Sequence, residues 1–388
     1  MPDDQNFAPV SSGGIKHLCR LETAGGGQIT IDGRHAYIGH QNGPEGTTIL
    51  DISDPREPRT LSVTMVPDPT THTHKVRVVG DIMIVNCEHQ PGSGRRADFQ
   101  GGGFRIYDVK DRTNPRLIKF VKTHGKGVHR FDLDETYVYV STEAEGFVGN
   151  ILETYDIRDP ARPAKVSQWW LPGQNVAAGE EPHPKKTEHR LHHALRCGDE
   201  MYAGYWGSGL AIVDVSDIAR PRTLSHYQYD PPSPEPTHTF LKVPFRIGGR
   251  SIAVSTEEER TKRGPDEGKP HAPFRTWDVS DPKKPRLLSS FHVPETGAPH
   301  AGPGVRFGAH QLREKVDADC LCYVTWFAAG LRILDIGDPD APVERGFFIP
   351  RPGAGKTQPY TNDVSRDSRG LIWFTDKARG LDVIECAF

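Results

Sequence analysis

The sequence predicts an all-β protein, a seven-bladed β-propeller with four-stranded blades. Three observations carry that prediction. An Asp-x-x-Asp-x-x-x-Pro signature returns six times, as DISDPREP from Asp51, DVKDRTNP from Asp108, DIRDPARP from Asp156, DVSDIARP from Asp214, DVSDPKKP from Asp278 and DIGDPDAP from Asp335. Self-similarity at a period near fifty residues is the mark of a repeat architecture. Between the signatures, runs rich in Val, Ile, Tyr and Phe alternate with period two, which is the pattern of strands. Finally, no stretch of the chain carries the pattern of a long amphipathic helix.

The second repeat shows the order of elements within one unit. An apolar run HKVRVV (74–79) meets a Gly80–Asp81 turn, followed by IMIVN (82–86), a loop, FRIYDV (104–109), the Asp/Pro turn and RLIKFV (116–121). Four short antiparallel strands per repeat, stacked face to face around an axis, make propeller blades. Six complete units are present, and a seventh at the C-terminus stops after LIWFTD (371–376) and GLDVIE (380–385). Its fourth strand is expected to be IKHLCRLE (15–22), so that the N-terminal strand closes the last blade and leaves no open edge. The predicted organisation is a flexible arm over 1–14 and a single propeller domain over 15–388.

The signature itself reads as turn chemistry rather than metal binding. Asp side chains cap nearby backbone N–H groups, and Pro fixes φ. Around it, GTTILDISD (46–54), GLAIVDVSD (209–217) and GLRILDIGD (330–338) resemble the LVIVD repeat of bacterial β-propellers. The resemblance supports the fold and implies no particular activity.

Bulk composition narrows the function classes. The 388 residues carry a formal net charge of −3, which argues against nucleic acid or an anionic membrane as partner. The 40 Gly and 33 Pro punctuate apolar runs and read as turns. Six scattered cysteines form no C-x-x-C pair, and there is no leader-like or spanning apolar run. A cytoplasmic protein acting on a small molecule is the expectation.

The ends of the blades differ. The Asp/Pro turns lie at one end, whereas the long segments 87–103, 257–274, 172–189, 294–308 and 350–359 fall at the other, where binding and catalysis concentrate on a rigid scaffold. At that decorated end the repeats place His74, His129, His193, His238 and His310 where the first strand of each begins, with Asn362 in the seventh repeat. His72 and His192 are register alternatives. Glu88, Glu143 and Glu257 end the second strands, with Asp376 in the seventh repeat. Converging imidazoles are the usual ligands of Zn, Fe and Cu, and a carboxylate behind each is the usual outer partner. The competing explanation is copying: a repeated His that only bonds the neighbouring blade. Trp206 and Trp326 are read as pocket walls or inter-blade packing, and Arg95, Arg96, Lys262 and Arg263 as loop charges.

This layout is similar to that of carotenoid-cleavage oxygenases, selenium-binding/methanethiol-oxidase propellers and streptogramin lyases. The expected function is therefore a metal-dependent enzyme, of lyase or oxygenase type, acting on a small and aromatic or unsaturated molecule. The five His would hold a divalent transition metal, iron or manganese before zinc, and Glu88, Glu143 and Glu257 would orient them. The alternatives are a metal-free His/Glu acid–base lyase and a non-enzymatic scaffold that binds a protein or peptide.

Overall fold

The structure is a computed structural model that describes residues 8–388, apart from 67, 91–92, 94–98, 185–187, 234, 261–270, 303 and 354. The loop charges Arg95, Arg96, Lys262 and Arg263, and residues 1–7 of the N-terminal arm, lie outside the described residues. Strands account for all regular structure among the described residues except a single 3₁₀ turn at Val176–Ala178. The strands pair antiparallel in the repeated sheets of a β-propeller arrangement. No helix is long and apolar enough to cross a membrane.

The sheet count departs from expectation. There are five four-stranded sheets rather than seven, together with one sheet of nine strands. The nine-stranded sheet contains the strands of the second and third repeats, joined where Glu88 of Ile82–His89 pairs with Gly127 of His124–Leu133. Glycine makes the join possible. A Cβ on Gly127 would stand 2.2 Å from the Cys87 carbonyl oxygen, and one on Gly102 would stand 2.8 Å from the Gly127 Cα. The second and third repeats therefore approach backbone to backbone.

The chain divides into two compact units, residues 1–34, 52–58 and 232–388, and residues 35–51 and 59–231. In the second of these, burial falls across each repeat. The strand Ile82–His89 is buried at every position but its first, whereas the outer strand Arg116–Lys122 has no buried residue. Phe104, Ile106, Val128, Phe131, Val138 and Val140 form one apolar cluster between the second and third repeats. Tyr139, Leu152, Trp169, Leu191, Met201 and Val213 form the next.

In the other unit, the strand Ile15–Ala24 pairs with Arg379–Cys386 and completes the C-terminal sheet, in the register Ile15↔Cys386. His17 and Arg20 reinforce the seam by binding the two oxygens of buried Asp382 at 2.9 and 2.7 Å. Part of the expected arm is a strand, because Val10–Ser11 pairs with Phe348 and Ile349. The six cysteines are free thiols.

The Asp/Pro signature behaves as turn chemistry predicts. Asp111 Oδ1 accepts from Thr113 N at 3.0 Å and Thr113 Oγ1 at 2.6 Å. The second Asp of every copy accepts from the backbone N–H two residues on. In four of the six copies the first Asp meets an Arg eight residues later, as in Arg116–Asp108 at 2.5 Å and Arg222–Asp214 at 3.0 Å, whereas Asp156 meets Arg158 and Asp335 meets Arg345.

Candidate functional site

A β-bulge, rather than the strand itself, places the histidines. The first strand of the third repeat shifts register between Val128 and Arg130, and His129 is the extra residue. The same shift isolates His192 between Leu191 and His193, His238 between Thr237 and Thr239, and Asn362 between Thr361 and Asp363. A bulge re-aims a side chain out of the alternating pattern, and these four residues share that device. His74 and His310 lie in equivalent interruptions, each two residues before a buried apolar residue, Val76 and Leu312.

The bulge corrects two positions in the sequence alignment. His192, not His193, is equivalent to His129. His193 stands where Arg130 stands in the third repeat and is buried among Arg130, Arg77 and Lys75; burial, then those cations, hold its imidazole well below the usual range. The small Ala194 occupies the apolar position filled elsewhere by Val76, Phe131, Phe240 and Leu312, and Leu195 misleads a reading by size. Likewise, Arg130↔Ser141 and Thr239↔Thr256 set the register of the second strands, so Glu258 rather than Glu257 corresponds to Glu143. The identical VSTE strings are one residue out of step. Glu257 instead accepts from Ser233 at 2.6 Å and pairs with Arg275; burial nonetheless pushes its carboxyl up.

In the unit of residues 35–51 and 59–231, the cluster centres on Glu88. Its carboxylate meets His129 Nδ1 at 2.9 and 3.1 Å and His72 Nε2 at 3.2 Å. Burial alone would raise the Glu88 carboxyl, but the charge and hydrogen bonds of His129 and His72 hold it well below the usual carboxylate range. Burial lowers His129, against the opposing pull of Glu88. From the far side of the ring, His129 Nε2 stands 2.9 Å from His192 Nε2. The His72 Nδ1 donates to the Gln41 carbonyl at 3.1 Å, which fixes its ring. His74 stacks on His72 with ring centroids 4.3 Å apart, and its Nδ1 lies 3.2 Å from Asn86 Nδ2. Donor atoms of His72, His74 and Glu88 all fall within 4.8 Å of one another, close enough to hold an ion by distance alone. Beside His192, Trp206 packs at 5.7 Å and carries the Arg190 guanidinium 3.6 Å above its ring.

Glu143 stands opposite His124 in the sheet. Its Oε2 accepts from Lys126 N at 2.9 Å and caps the glycine-rich entry to the third repeat.

In the other unit, His238 and His310 approach with ring centroids 4.3 Å apart. Their Nδ1 atoms are engaged as in His129: His238 with Thr239 Oγ1 at 2.8 Å, His310 with the Asn362 carbonyl at 2.8 Å. His310 stacks on Phe327, which also meets Arg306, 3.9 Å from the ring centroid, and Tyr360. Arg306 binds Glu258 at 2.7 Å and Tyr360 Oη at 3.2 Å. Burial would raise Glu258, yet Arg306, His310 and Lys377 together hold it well below the usual range. Asp376 accepts from the backbone N–H groups of Tyr360, Ala378 and Arg379, and so serves the loop rather than an imidazole. Trp326 is buried and packs edge-on against Phe291.

Asn86, Glu258 and Arg306 were not singled out from sequence. Only Glu258 had a signal there, as the second acid of Glu257–Glu258–Glu259.

The family model of the LVIVD repeat matches residues 26–63, 197–228 and 322–348, so LVIVD repeats are present in this chain. Among curated proteins none matches it. Similar solved structures include the periplasmic gluconolactonase of Pseudomonas aeruginosa, with TM-score 0.62 and 16% identity over 89% of this chain and 90% of that one. A chain of the Mitotic Checkpoint Complex gives TM-score 0.57 and 10% identity, covering 99% of this chain and 95% of that one. The computationally designed Ika8 protein gives TM-score 0.54 and 8% identity, covering 95% and 99%. At such identities the likeness is one of fold alone.

Proposed function

We propose that the His129–His192 pair belongs to the metal centre of an enzyme that acts on a small, aromatic organic molecule by lyase or oxygenase chemistry. One observation carries this reading. The two Nε2 atoms face each other at 2.9 Å while Glu88 holds Nδ1 of His129 from behind. Imidazole nitrogens bound to one ion at about 2.1 Å each, in adjacent positions, stand roughly 3 Å apart. A carboxylate on the second ring nitrogen is the outer partner that fixes the tautomer of a metal-bound imidazole.

His129 and His192 would supply Nε2 donors to the ion. His238 and His310, at the equivalent register with Nδ1 engaged, present the same chemistry in their own unit. Iron or manganese is the proposed ion, with zinc the next candidate. When bound, it would polarise a substrate oxygen or activate water or dioxygen at an open position. The chain's own contribution is orientation. Glu88 sets the His129 ring, and Trp206 beneath Arg190 offers a flat wall beside His192 for an aromatic substrate. Five four-stranded sheets, with the nine-stranded sheet counted as two repeats, keep the seven-repeat count in this reading.

A metal-free reading is favoured by the same contact. One proton shared between His129 and His192, with Glu88 behind, is an oriented general base. Elemental analysis of protein purified without a His-tag separates the two. The expected result is a transition metal near one equivalent, lost on His129→Ala while the β-rich circular dichroism survives. Absence of metal after reconstitution with Fe(II), Mn(II) and Zn(II) would overturn the metal centre and leave the acid–base reading.

A further inference from the structure

His74 differs from the other clustered histidines in the partner of its Nδ1. That partner is an amide NH₂, and the orientation of the amide is fixed by backbone groups on both sides. Asn86 Oδ1 accepts from Lys75 N at 2.8 Å, and Asn86 Nδ2 donates to the Val128 carbonyl at 2.9 Å and approaches the His129 carbonyl at 3.3 Å. Flipping the amide would set nitrogen against N–H and oxygen against carbonyl, so the hydrogen-bond network assigns it. The second hydrogen of Nδ2 therefore points at His74 Nδ1, which must accept. A neutral imidazole that accepts at Nδ1 carries its proton on Nε2.

The Nε2–H donor thus formed has no acceptor among the described residues, and it is not one of the sealed polar atoms of the interior. Stacking on His72 fixes the ring plane. The one carboxylate of the cluster, Glu88, is already engaged by His72 and His129.

We infer that His74 is a hydrogen-bond donor to a negatively charged oxygen of the substrate, a carboxylate, rather than a metal ligand. An imidazole locked as Nε2–H has no lone pair there to give a metal, and its Nδ1 is occupied. An oxygen anion is the ligand that such a donor, next to Lys75 and one repeat from Arg130, is built to receive. The inference rests on reading the cluster as a substrate site, and it stands whether or not a metal is present.

The test uses the full-length protein and benzoate as the probe. In long-range ¹H–¹⁵N spectra, His74 is expected to show the Nε2–H tautomer, and its resonances to shift on titration with benzoate. His74→Ala should weaken benzoate binding at least about tenfold, the loss of one hydrogen bond to a charged partner. His74→Gln, which places an amide N–H near the Nε2 position, should bind within about threefold of the wild type, because a neutral donor retains most of that bond. Metal content should be the same in both variants. An Nδ1–H tautomer, an absence of benzoate-induced shift, or equal loss of binding in the Gln and Ala variants would each overturn the inference. Loss of metal in His74→Gln would make His74 a ligand after all. A wild-type protein that binds benzoate but no metal would sink the metal centre and leave the donor role intact.

Discussion

Replacing Glu88 by Gln tests the centre of the cluster directly. The carboxylate is 8% exposed, so solvent screening takes little from its interactions. It receives His129 Nδ1 on both oxygens and faces His72 Nε2. Gln keeps the shape and can still accept from one imidazole, but its NH₂ then confronts the other. One charge-assisted bond is lost and one is weakened, so the variant should be less stable by about 2–3 kcal/mol at pH 7. For a cooperative unit of this size that is a fall of roughly 4–12 °C in Tm. The pH dependence has a definite sign. Because the folded protein depresses the Glu88 pKa, its contribution is fully present above the unfolded value of about 4.3 and is lost as pH falls through the folded value. The gap between wild type and variant should therefore be full at neutral pH and close in acid. Thermal unfolding followed by circular dichroism at pH 7 and pH 4 measures both quantities. A Tm difference below about 1 °C at pH 7, or a gap that widens in acid, would refute the reasoning. If a metal is bound, the same variant should hold it about 10–100-fold more weakly.

Three further outcomes are expected. His192→Ala should lower bound metal, whereas His193→Ala should leave metal unchanged and cost about 1–3 kcal/mol of stability through its buried site, measured by metal content and urea denaturation. Arg306→Met should destabilise the protein by about 1–3 kcal/mol, because it leaves the half-buried Glu258 carboxylate without its guanidinium, and the additional Glu258→Gln change should recover much of that loss. Asp111→Ala should leave metal content and benzoate binding at wild-type levels, since that carboxylate serves only its own exposed turn.

Much of the fold was legible in the sequence because turns are local. Asp111 captures its turn through a residue two positions away, and every copy of the signature repeats the trick. The role of Ile15–Ala24 was legible too, since its pattern matched the strand that the last repeat lacked. The join between the second and third repeats was not, because it depends on how closely Gly127 and Gly102 approach in space. The histidines were located to within one residue. What hid the final residue was the bulge, an insertion on one strand that only its pairing partner reveals. That step displaced His192, whereas Glu258 was displaced by identical VSTE strings that pair one residue out of step. The outer partners Gln41 and Asn86 contribute a carbonyl and an amide, chemistry that leaves no compositional trace.

The seam between Ile15–Ala24 and Arg379–Cys386 also dictates an order of events during synthesis. His17 and Arg20 leave the ribosome early, yet the carboxylate that receives both lies 365 and 362 positions further along. Residues 35–51 and 59–231 are complete before Arg379–Cys386 is made, and can collapse on their own contacts. The other unit has to hold the strand Ile15–Ala24 in waiting until Arg379–Cys386 appears, a closure of very high contact order. Until then that strand is an unpaired apolar edge in a crowded cell, and its Lys16, His17, Arg20 and Glu22 are the charges that keep such an edge from finding the wrong partner.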